Sequence, residues 1–462
     1  MAVKTQGGLT ERQTVESTVL QGDTWASILA SVQVDSINKD CFNEGYHIKY
    51  KNSLPVGNLG LIDDGLGVTE AGYKAQMLNS YINVKTADKF LQFGPKKCKV
   101  MFIGKTNQCD LSGDLTVDKW STSYTSDGLN GELKLSEVYE GKVKMEKVNQ
   151  WKYLGFVISN SGNNLCNIRE IRKKSIGATK KILNHLNSLH LFQYYFECSV
   201  IFKNVFLRPI ILYACETYYN LTETEVRQIE RNEESYLRQI FSTPRSCPIS
   251  QLYLESGEYP ARFEVKRMKL LFLKYILTQD KSSTIYKFLQ LQLQQPRRGE
   301  WASTCLENLK ELEISLSLED ITKIKLSEYK QILKQQIQKV SLKYLLGIRK
   351  IKGSQIEYKS MQMSDYLLPN LYIQSNEDKK LLYALRNQMF QLNEDSFQNK
   401  NKLCLCGKEE ENITNLYNCQ LLNTNKIKYP YEKIYNGTCF EQSEIIKRIK
   451  LSLSNREKLR KQ

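Results

Sequence analysis

A change in periodicity near residue 164 constrains the fold of this chain more than any other feature of its sequence. Up to residue 163, short apolar runs alternate with polar positions between turns rich in Gly, Ser and Asp, a pattern typical of β-hairpins mixed with a few helices. From residue 164 to about residue 400, apolar residues recur at the spacing of amphipathic helices. The sequence therefore predicts an α+β protein whose second part is mostly α-helical.

Local signals place individual elements within these two parts. Asp23 precedes an amphipathic stretch and is a candidate N-cap, because its carboxylate can accept a free N–H group of the first helical turn. Two apolar arms around Asp63, Asp64 and Gly65 predict a β-hairpin with this tripeptide at its tip. We further predict a helix over residues 71–90, a strand over 99–103, a β-rich insertion over 111–150 and a strand over 151–158. In the second part, residues 222–225 (Thr-Glu-Thr-Glu) form a capping box that opens a helix.

Positive charge indicates a polyanionic partner. The 462 residues include 66 Lys and Arg against 50 Asp and Glu, a formal net charge of +16, and nucleic acid is the first candidate partner because binding releases counterions from its phosphates. The region 164–210 carries a cluster of basic residues opposite its apolar face: Arg169, Arg172, Lys173, Lys174, Lys180 and Lys181. The competing interpretation is an ordinary solvated face on a helix that packs on the core.

Nothing in the sequence predicts export or a membrane span. Residues 1–8 are polar and do not form a charged start followed by an apolar stretch. The longest apolar stretch, over residues 200–215, is interrupted by Lys203, Asn204, Arg208 and Pro209. Twelve cysteines lie along the chain without paired spacing, as expected of reduced thiols. We therefore expect a nuclear or cytoplasmic protein that is not secreted and has no membrane partner.

Asp63 and Asp64 are the first candidates for chemistry. Adjacent carboxylates at a tight hairpin repel each other, and a divalent cation relieves that repulsion; Mg²⁺ prefers a few carboxylate oxygens together with water and substrate phosphates. Paired Mg²⁺ ions of this kind support phosphoryl transfer. Asp-Asp-Gly is also favourable turn chemistry, so a turn without a metal remains the alternative.

The order of motifs resembles the palm and thumb of the reverse transcriptases of non-LTR (LINE-type) retrotransposons. Residues 19–25 look like the Gln-Gly-Asp motif of this family, and residues 59–64 look like its catalytic Ala-Asp-Asp hairpin. Residues 93–99 are similar to the Lys-containing motif that follows, and Tyr153, Leu154 and Gly155 are similar to the primer-grip strand. Residues 211–217 resemble a thumb segment, Leu-Tyr-Gly-x-Glu-x-Trp. The likeness is collinear over about the first 290 residues.

This resemblance implies roles for individual residues. Asp63 and Asp64 would hold the catalytic Mg²⁺ ions, and Lys97 would stabilise the leaving pyrophosphate, with Lys96 and Lys99 as competitors for that role. The loop of Gln21, Gly22 and Asp23 would approach the template and the incoming deoxynucleotide, and Tyr153, Leu154 and Gly155 would hold the primer end. Structural alternatives stay open: Asp23 as a helix cap only, the lysines as a solvated turn, and Tyr153 with Leu154 as core packing.

The chain also departs from the family pattern. Leu61 and Ile62 stand where the family has an aromatic residue and alanine. The family carries a further metal-binding aspartate on a strand before the Gln-Gly-Asp motif, whereas residues 1–20 contain no aspartate. We therefore expect that the chain, as given, is a truncated relative that does not polymerise DNA alone.

A degenerate cysteine knuckle is the last candidate site. Cys404, Cys406 and Cys419 resemble the cysteine–histidine knuckle near the C-terminus of many relatives. Zinc prefers four tetrahedral Cys or His ligands, but no histidine lies near these cysteines, and only Cys439 could complete the set by folding back. On ligand count we expect zinc to be absent, with Mg²⁺ the one cofactor of an active form.

The resemblance divides the chain into a partial palm (1–110), a β-rich insertion with the primer-grip strand (111–163), a helical thumb-like domain (164–300), a helical C-terminal region (301–400) and a cysteine knuckle with a basic tail (401–462). The leading hypothesis is an RNA-directed DNA polymerase that takes an RNA template, a DNA primer and deoxynucleotides. The alternative is a catalytically silent nucleic-acid-binding protein derived from such an element.

Overall fold

The computed structural model describes most of the chain: residues 4–5, 8–9, 24–51, 53–57, 59–61, 64–88, 94–103, 115–126, 133–189, 191, 194–243, 247–348, 358–373, 375–387, 389, 403–406, 408, 412–424 and 427–461. It is mostly helical, at 61% helix, with a few small two-stranded sheets, which makes it an α+β mixture as the sequence predicts. Two compact units divide the chain. Unit 1 comprises residues 1–166 and 282–291, and unit 2 comprises residues 167–281 and 292–462.

Unit 1 contains three helices, a 3₁₀ turn and all of the described strands. Its elements are β1 (Lys4–Thr5), β2 (Gly8–Leu9), α1 (Thr24–Asn43), β3 (Ile48–Tyr50), β4 (Leu54–Val56), β5 (Leu59–Leu61), β6 (Asp64–Leu66), α2 (Gly72–Asp88), the 3₁₀ turn Pro95–Lys97, β7 (Lys99–Val100), β8 (Thr116–Ser126), β9 (Leu133–Lys144), β10 (Glu146–Lys147), β11 (Gln150–Tyr153) and β12 (Phe156–Ser159). Most of a later helix, numbered α9 in chain order (Thr284–Gln294), also belongs to this unit.

A small core joins the first two helices of unit 1. Ile37 and Cys41 of α1 pack against Leu78 of α2, and all three side chains are buried. A separate aromatic contact joins α9 to β3: the ring centroids of Phe288 and Tyr50 are 4.3 Å apart. Apolar burial of this kind gives the small hairpins a surface to pack on, since an isolated two-stranded hairpin is marginal in water.

The described strands pair two by two. Five pairs are antiparallel hairpins of consecutive strands, and β7 pairs in parallel with β10, with Lys99 opposite Glu146. The long hairpin β8–β9 lies in the segment that the sequence predicted to be β-rich, and its register shifts between Lys119 and Trp120. The strand predicted over residues 99–103 is shorter than expected, because β7 ends at Val100.

Unit 2 contains helices joined by turns and loops, and no strand, among its described residues. Its elements are α3 (Leu165–Ser188), α4 (Tyr195–Phe202), a π-helical turn (Lys203–Leu207), α5 (Arg208–Ile211), the 3₁₀ turn Cys215–Thr217, α6 (Glu223–Phe241), α7 (Ile249–Ser256), α8 (Ala261–Leu277), α10 (Trp301–Glu311), α11 (Leu318–Lys323), α12 (Leu326–Gly347), the 3₁₀ turn Asp365–Leu367, α13 (Asn376–Arg386), α14 (Ile413–Asn418), α15 (Lys433–Asn436) and α16 (Cys439–Lys461).

The predicted capping box at the start of α6 is confirmed. The Thr222 hydroxyl accepts a hydrogen bond from the Glu225 amide at 3.3 Å, and the Glu225 carboxylate accepts one from the Thr222 amide at 2.9 Å. These two bonds satisfy N–H groups that have no partner inside the helix, which defines where α6 begins.

The basic C-terminal tail is part of a packed helix. Ile445, Ile446 and Ile449 of α16 are buried, so one face of this segment belongs to the core. Arg448 is also buried, and its guanidinium donates to the carbonyl of Tyr417 at 2.8 Å. Within the described residues, no helix is both long and apolar enough to cross a bilayer.

Candidate nucleic-acid interface and cysteine cluster

The predicted Asp-Asp hairpin is formed by β5 and β6. Leu59 pairs with Leu66, and Leu61 pairs with Asp64. Asp64 and Gly65, which the sequence placed at the tip, belong to the second strand of the hairpin. Asp64 is exposed, whereas Asp63 lies outside the described residues.

Tyr153, Leu154 and Gly155 form a turn and not part of a continuous strand. The single strand predicted over residues 151–158 is wrong: β11 and β12 form a hairpin in which Tyr153 pairs with Phe156. Leu154 and Gly155 have φ of +48° and +83°, which are the left-handed values that a two-residue hairpin turn requires. Glycine adopts a positive φ without strain. The apolar residues on both sides of Gly155 led to the prediction of one continuous strand, without a turn.

The structure brings Tyr153 and Asp64 together. Partial burial raises the pKa of the Tyr153 phenol, and the negative charge of Asp64 raises it further. An electrostatic effect of this kind requires proximity, because water and salt screen charges beyond about 10 Å. These two motif residues, 89 positions apart in the sequence, therefore interact electrostatically within unit 1.

The lysine motif separates into residues with different surroundings. Lys99 lies between the carboxylate of Glu146, to which it donates a hydrogen bond, and the ring of Trp151, whose centroid is 5.9 Å from the ammonium nitrogen. Lys96 and Lys97 are exposed in the 3₁₀ turn. Because its ammonium already has these two partners, Lys99 is a poorer candidate than Lys97 for stabilising the leaving pyrophosphate. No contact among the described residues joins Lys97 to Asp64.

The Gln-Gly-Asp motif is not described. Gln21, Gly22 and Asp23 lie outside the described residues, which begin again at Thr24 with α1. The position of the helix agrees with the predicted start, while the roles of the three residues stay predictions.

All six basic residues predicted on the first helix of the thumb-like segment share the exposed side of α3. Arg169, Arg172, Lys173, Lys174, Lys180 and Lys181 are exposed. The opposite side is buried and includes Ile168, Ile171, Ile182 and Leu186. A helix repeats every 3.6 residues, so this sequence presents its charges and its apolar residues in opposite directions.

The charges on α3 have few protein partners. Lys173 lies 3.7 Å from Glu170, one turn away, and both side chains are partly exposed. None of the other five makes an ion pair with a described residue. Exposed pairs of this type contribute about 0–1 kcal/mol. The face therefore keeps most of its positive charge available to a ligand.

The thumb-like motif has a strained turn. Ala214, in the position where the family motif has glycine, adopts φ of +55°. The indole N–H of Trp301 on α10 donates to the carbonyl of Glu216 at 2.7 Å and holds the following 3₁₀ turn. Sequence reasoning missed Trp301, since a contact 85 residues away leaves no local signal.

Buried charges lie beneath the π-helical turn. The ammonium of Lys203 is 2.6 Å from a carboxylate oxygen of Glu258 and 4.0 Å from one of Glu233. The Arg208 guanidinium lies 2.9 Å from Glu233 and 3.2 Å from Glu258. In the sequence, Lys203 and Arg208 are recognisable only as interruptions of an apolar stretch. Their carboxylate partners lie on α6 and just after α7, and sequence spacing does not predict these pairs.

Cys404, Cys406 and Cys419 come together. Their sulfur atoms all lie within 4.8 Å of one another, and the Sγ atoms of Cys404 and Cys419 are 3.7 Å apart. Burial and the adjacent thiols raise the pKa of Cys404 to about 12. Asn412 caps α14 by accepting a hydrogen bond from the Asn415 amide at 2.8 Å, and Cys419 follows directly after that helix.

The thiol geometry suits three positions of a tetrahedral zinc site. With Zn–S bonds of about 2.3 Å, the edge of the tetrahedron is about 3.8 Å, close to the separation of Cys404 and Cys419. Cys439 does not complete the set; its thiol lies beside the Asn370 side chain. Among the described residues, no histidine, carboxylate or fourth cysteine joins the cluster.

The described part of the Asp-Asp hairpin holds one of the two carboxylates predicted to bind Mg²⁺. Asp64 is its one described carboxylate, and the three cysteines are the only described group of three or more candidate metal ligands. Two-metal catalysis needs several carboxylate oxygens. The Mg²⁺ site on Asp63 and Asp64 stays a prediction.

Comparison of the chain with protein-family models, with curated proteins and with solved structures finds no match. Any functional assignment must therefore rest on the residues and contacts above.

Proposed function

We propose that this chain binds the duplex of a primer and its template, as a catalytically silent relative of the reverse transcriptases of non-LTR retrotransposons. The observation that carries the proposal is the exposed face of α3, on which six Lys and Arg side chains lie opposite a buried apolar face. Phosphate contacts by Lys and Arg supply most of the affinity of such a face without reading sequence.

The dimensions of α3 suit a nucleic-acid backbone. From Arg169 to Lys181 the helix rises about 18 Å, at about 1.5 Å per residue. One strand of a duplex places a phosphate every ~3.4 Å along its axis, so about five phosphates fall within this length. Several Lys and Arg side chains of α3 can thus contact phosphates of the same strand at once.

A second candidate function is templated DNA synthesis, supported by the electrostatic interaction of Asp64 with Tyr153. In the family this chain resembles, a carboxylate hairpin next to a primer-holding strand is the arrangement of the polymerase centre. Here Asp64 would contribute to metal binding, and Tyr153, at the β11–β12 turn, would position the primer end.

Binding is tested with a fluorescent RNA–DNA primer–template, measured by anisotropy at several salt concentrations. Replacement of Arg169, Lys173 and Lys180 by Gln should reduce the slope of log K against log salt by about 2.7, or about 0.9 for each lost phosphate contact. The matched control replaces Lys325, Lys330 and Lys334, at the start of α12 and likewise exposed, and removes the same charge.

The outcomes separate the hypotheses. Equal reductions in the two triple variants would show that binding follows net charge and would refute the role of α3. Polymerase activity is tested by primer extension with Mg²⁺, comparing the chain with Asp64→Ala. Extension that depends on Asp64 would replace silent binding with the polymerase assignment.

A further inference from the structure

The cysteine cluster of unit 2 holds two thiols nearly in contact. The Sγ atoms of Cys404 and Cys419 are 3.7 Å apart, and the sulfur atom of Cys406 lies within 4.8 Å of both. A disulfide bond measures about 2.05 Å, so a shift of about 0.8 Å by each of the two closer sulfur atoms would join them. The fold therefore brings two cysteines that are distant in the sequence to within a small movement of pairing.

The three thiols differ in their access to solvent. Cys404 and Cys419 are buried, with 3% and 7% of their surface exposed, whereas Cys406 is half-buried. A small polar oxidant therefore reaches Cys406 first. An accessible cysteine next to a second cysteine suits reversible oxidation, because the second thiol converts the oxidised sulfur to a disulfide before it is oxidised further.

A buried cysteine elsewhere in unit 2 shows that burial alone does not create such a site. Cys247 is buried, and its sulfur atom lies 3.2 Å from the hydroxyl oxygen of Tyr383. A phenol does not form a disulfide, so this contact offers oxidised sulfur no reversible product. The cluster of three thiols differs because each sulfur atom has two others within reach.

We propose that Cys404, Cys406 and Cys419 form an oxidation site, at which hydrogen peroxide converts the thiols of Cys404 and Cys419 to a disulfide. The proposal does not depend on nucleic-acid binding, which is assigned to α3. It also goes beyond metal binding, since oxidation consumes two of the three candidate ligands; the thiolate is the form of cysteine that binds a metal.

The reaction proceeds in three steps that conserve atoms and charge. The thiolate of Cys406 attacks one oxygen of hydrogen peroxide, the O–O bond breaks, and a sulfenic acid forms while the hydroxide takes a proton and leaves as water. The thiol of Cys404 then attacks the sulfur of Cys406. The S–O bond breaks, and the hydroxyl group leaves with the thiol proton as a second water.

Thiol–disulfide exchange completes the sequence. The thiolate of Cys419 attacks the sulfur of Cys404, which lies 3.7 Å away, and releases Cys406 as a thiolate. Cys406 is thus reduced again at the end. In total, two thiols are oxidised to one disulfide, and one hydrogen peroxide is reduced to two waters.

The disulfide would close a loop around α14. Residues 405–418 lie between the two cysteines in the sequence and include α14 (Ile413–Asn418). The end of this helix is already held to α16, because Arg448 donates a hydrogen bond to the carbonyl of Tyr417 at 2.8 Å. A cross-link would fix residues 403–406 to these two helices and restrict the unfolded chain. Oxidation would therefore tighten this part of the chain while it removes thiolates that a metal needs.

The test maps the thiols of the full chain after oxidation. The reduced chain, kept metal-free by a chelator, is treated with hydrogen peroxide, its remaining thiols are blocked with iodoacetamide, and it is digested with trypsin. Cleavage after Lys402, Lys408 and Lys426 places Cys404 and Cys406 in peptide 403–408 and Cys419 in peptide 409–426. Mass spectrometry with and without reductant then detects the disulfide as a linked pair of these peptides.

We expect the linked pair to form before about one tenth of Cys198 is oxidised, with the blocking group found on Cys406. Cys198 of α4 is half-buried, like Cys406, and serves as the internal reference. Cys406→Ser should still give the linked pair, but about tenfold more slowly, because the oxidant must reach buried sulfur atoms. Cys419→Ser should give no linked pair. The matched control Cys198→Ser should form it at the wild-type rate.

Three outcomes would overturn the inference. The first is Cys406 recovered as sulfinic or sulfonic acid while Cys419 is recovered with the blocking group. The second is an equal yield of the linked pair from the native chain and from the chain unfolded in urea, since pairing would then not depend on the fold. The third is an undiminished rate in Cys406→Ser, which would exclude entry of the oxidant at Cys406. A chain that binds no nucleic acid would leave all of these measurements unchanged.

Discussion

Loss of the Lys203 charge should destabilise the chain strongly and in a pH-dependent way. Lys203 is fully buried, and its ammonium lies 2.6 Å from Glu258. At an effective dielectric constant of about 20, two unit charges at this distance attract each other by about 6 kcal/mol. Replacement by Met leaves Glu258 and Glu233 with Arg208 as their one remaining close cation, and breaking a buried pair typically costs about 3–5 kcal/mol.

The pH dependence follows from Glu258. Burial opposes its ionisation, but Lys203 and Arg208 outweigh burial and lower the pKa of this carboxyl below its ordinary value. A lowered folded-state pKa stabilises the protein above the unfolded pKa of about 4.3, and this contribution is lost as the pH falls through the folded pKa. In Lys203→Met the pKa of Glu258 rises, so protonation should relieve part of the damage at lower pH.

The assay is urea unfolding of the full chain, followed by helical circular dichroism at about pH 7 and about pH 5. We expect Lys203→Met to lose about 3–5 kcal/mol near neutrality and less at the lower pH. Lys203→Met combined with Glu258→Gln keeps the Arg208–Glu233 pair and restores charge balance, so it should be more stable than Lys203→Met alone. A double variant that is no better, or a loss that is the same at both pH values, would refute the electrostatic account.

Two further predictions concern the cysteine cluster and the strained turn. Ligand count in the sequence argued against zinc, but the three thiols meet at the spacing of a tetrahedral site. The wild-type chain should therefore retain about one zinc or cobalt ion on equilibrium dialysis, with thiolate-to-cobalt absorption, and Cys419→Ser should lose it. Dialysis that leaves the wild-type chain metal-free would contradict this. Ala214→Gly should raise the free energy of unfolding by about 1 kcal/mol, because glycine adopts the φ of +55° without strain. Ala178→Gly, in the ordinary helix α3, should lower it by about 1 kcal/mol, and a change of the same sign in both would exclude the backbone explanation.

Local patterns predicted those elements that local interactions define. The β5–β6 hairpin follows from apolar arms on either side of a turn, and the start of α6 follows from Thr222 and Glu225, which contact each other within one helical turn. The α3 face is of the same kind, because helical periodicity alone decides which side each residue occupies. These features require no knowledge of distant parts of the chain.

Features that depend on tertiary contact were missed or left open. The turn at Leu154 and Gly155 was hidden because strand-forming residues surround it on both sides. Cys419 lies at the end of α14, and the fold places it next to Cys404 and Cys406. The spacing of the cysteines in the sequence does not predict this contact. Lys203 is fully buried, although lysine is usually exposed. The carboxylates that compensate its charge come from α6 and from the segment after α7, which are distant in sequence.

Exposure and pairing, not charge count, decide which basic residues can bind a polyanion. Arg448 belongs to a tail as basic in sequence as α3, yet its guanidinium donates to the carbonyls of Tyr417 and Asn423 at 2.8 and 3.3 Å and holds the segment around Cys419. Lys203 and Arg208 are similarly committed to buried carboxylates. Desolvated cations with protein partners would have to break those bonds before meeting a phosphate, at a cost that a surface contact does not repay. The exposed lysines and arginines of α3 carry no such penalty, which is why this helix is the surface on which the binding proposal is to be tested.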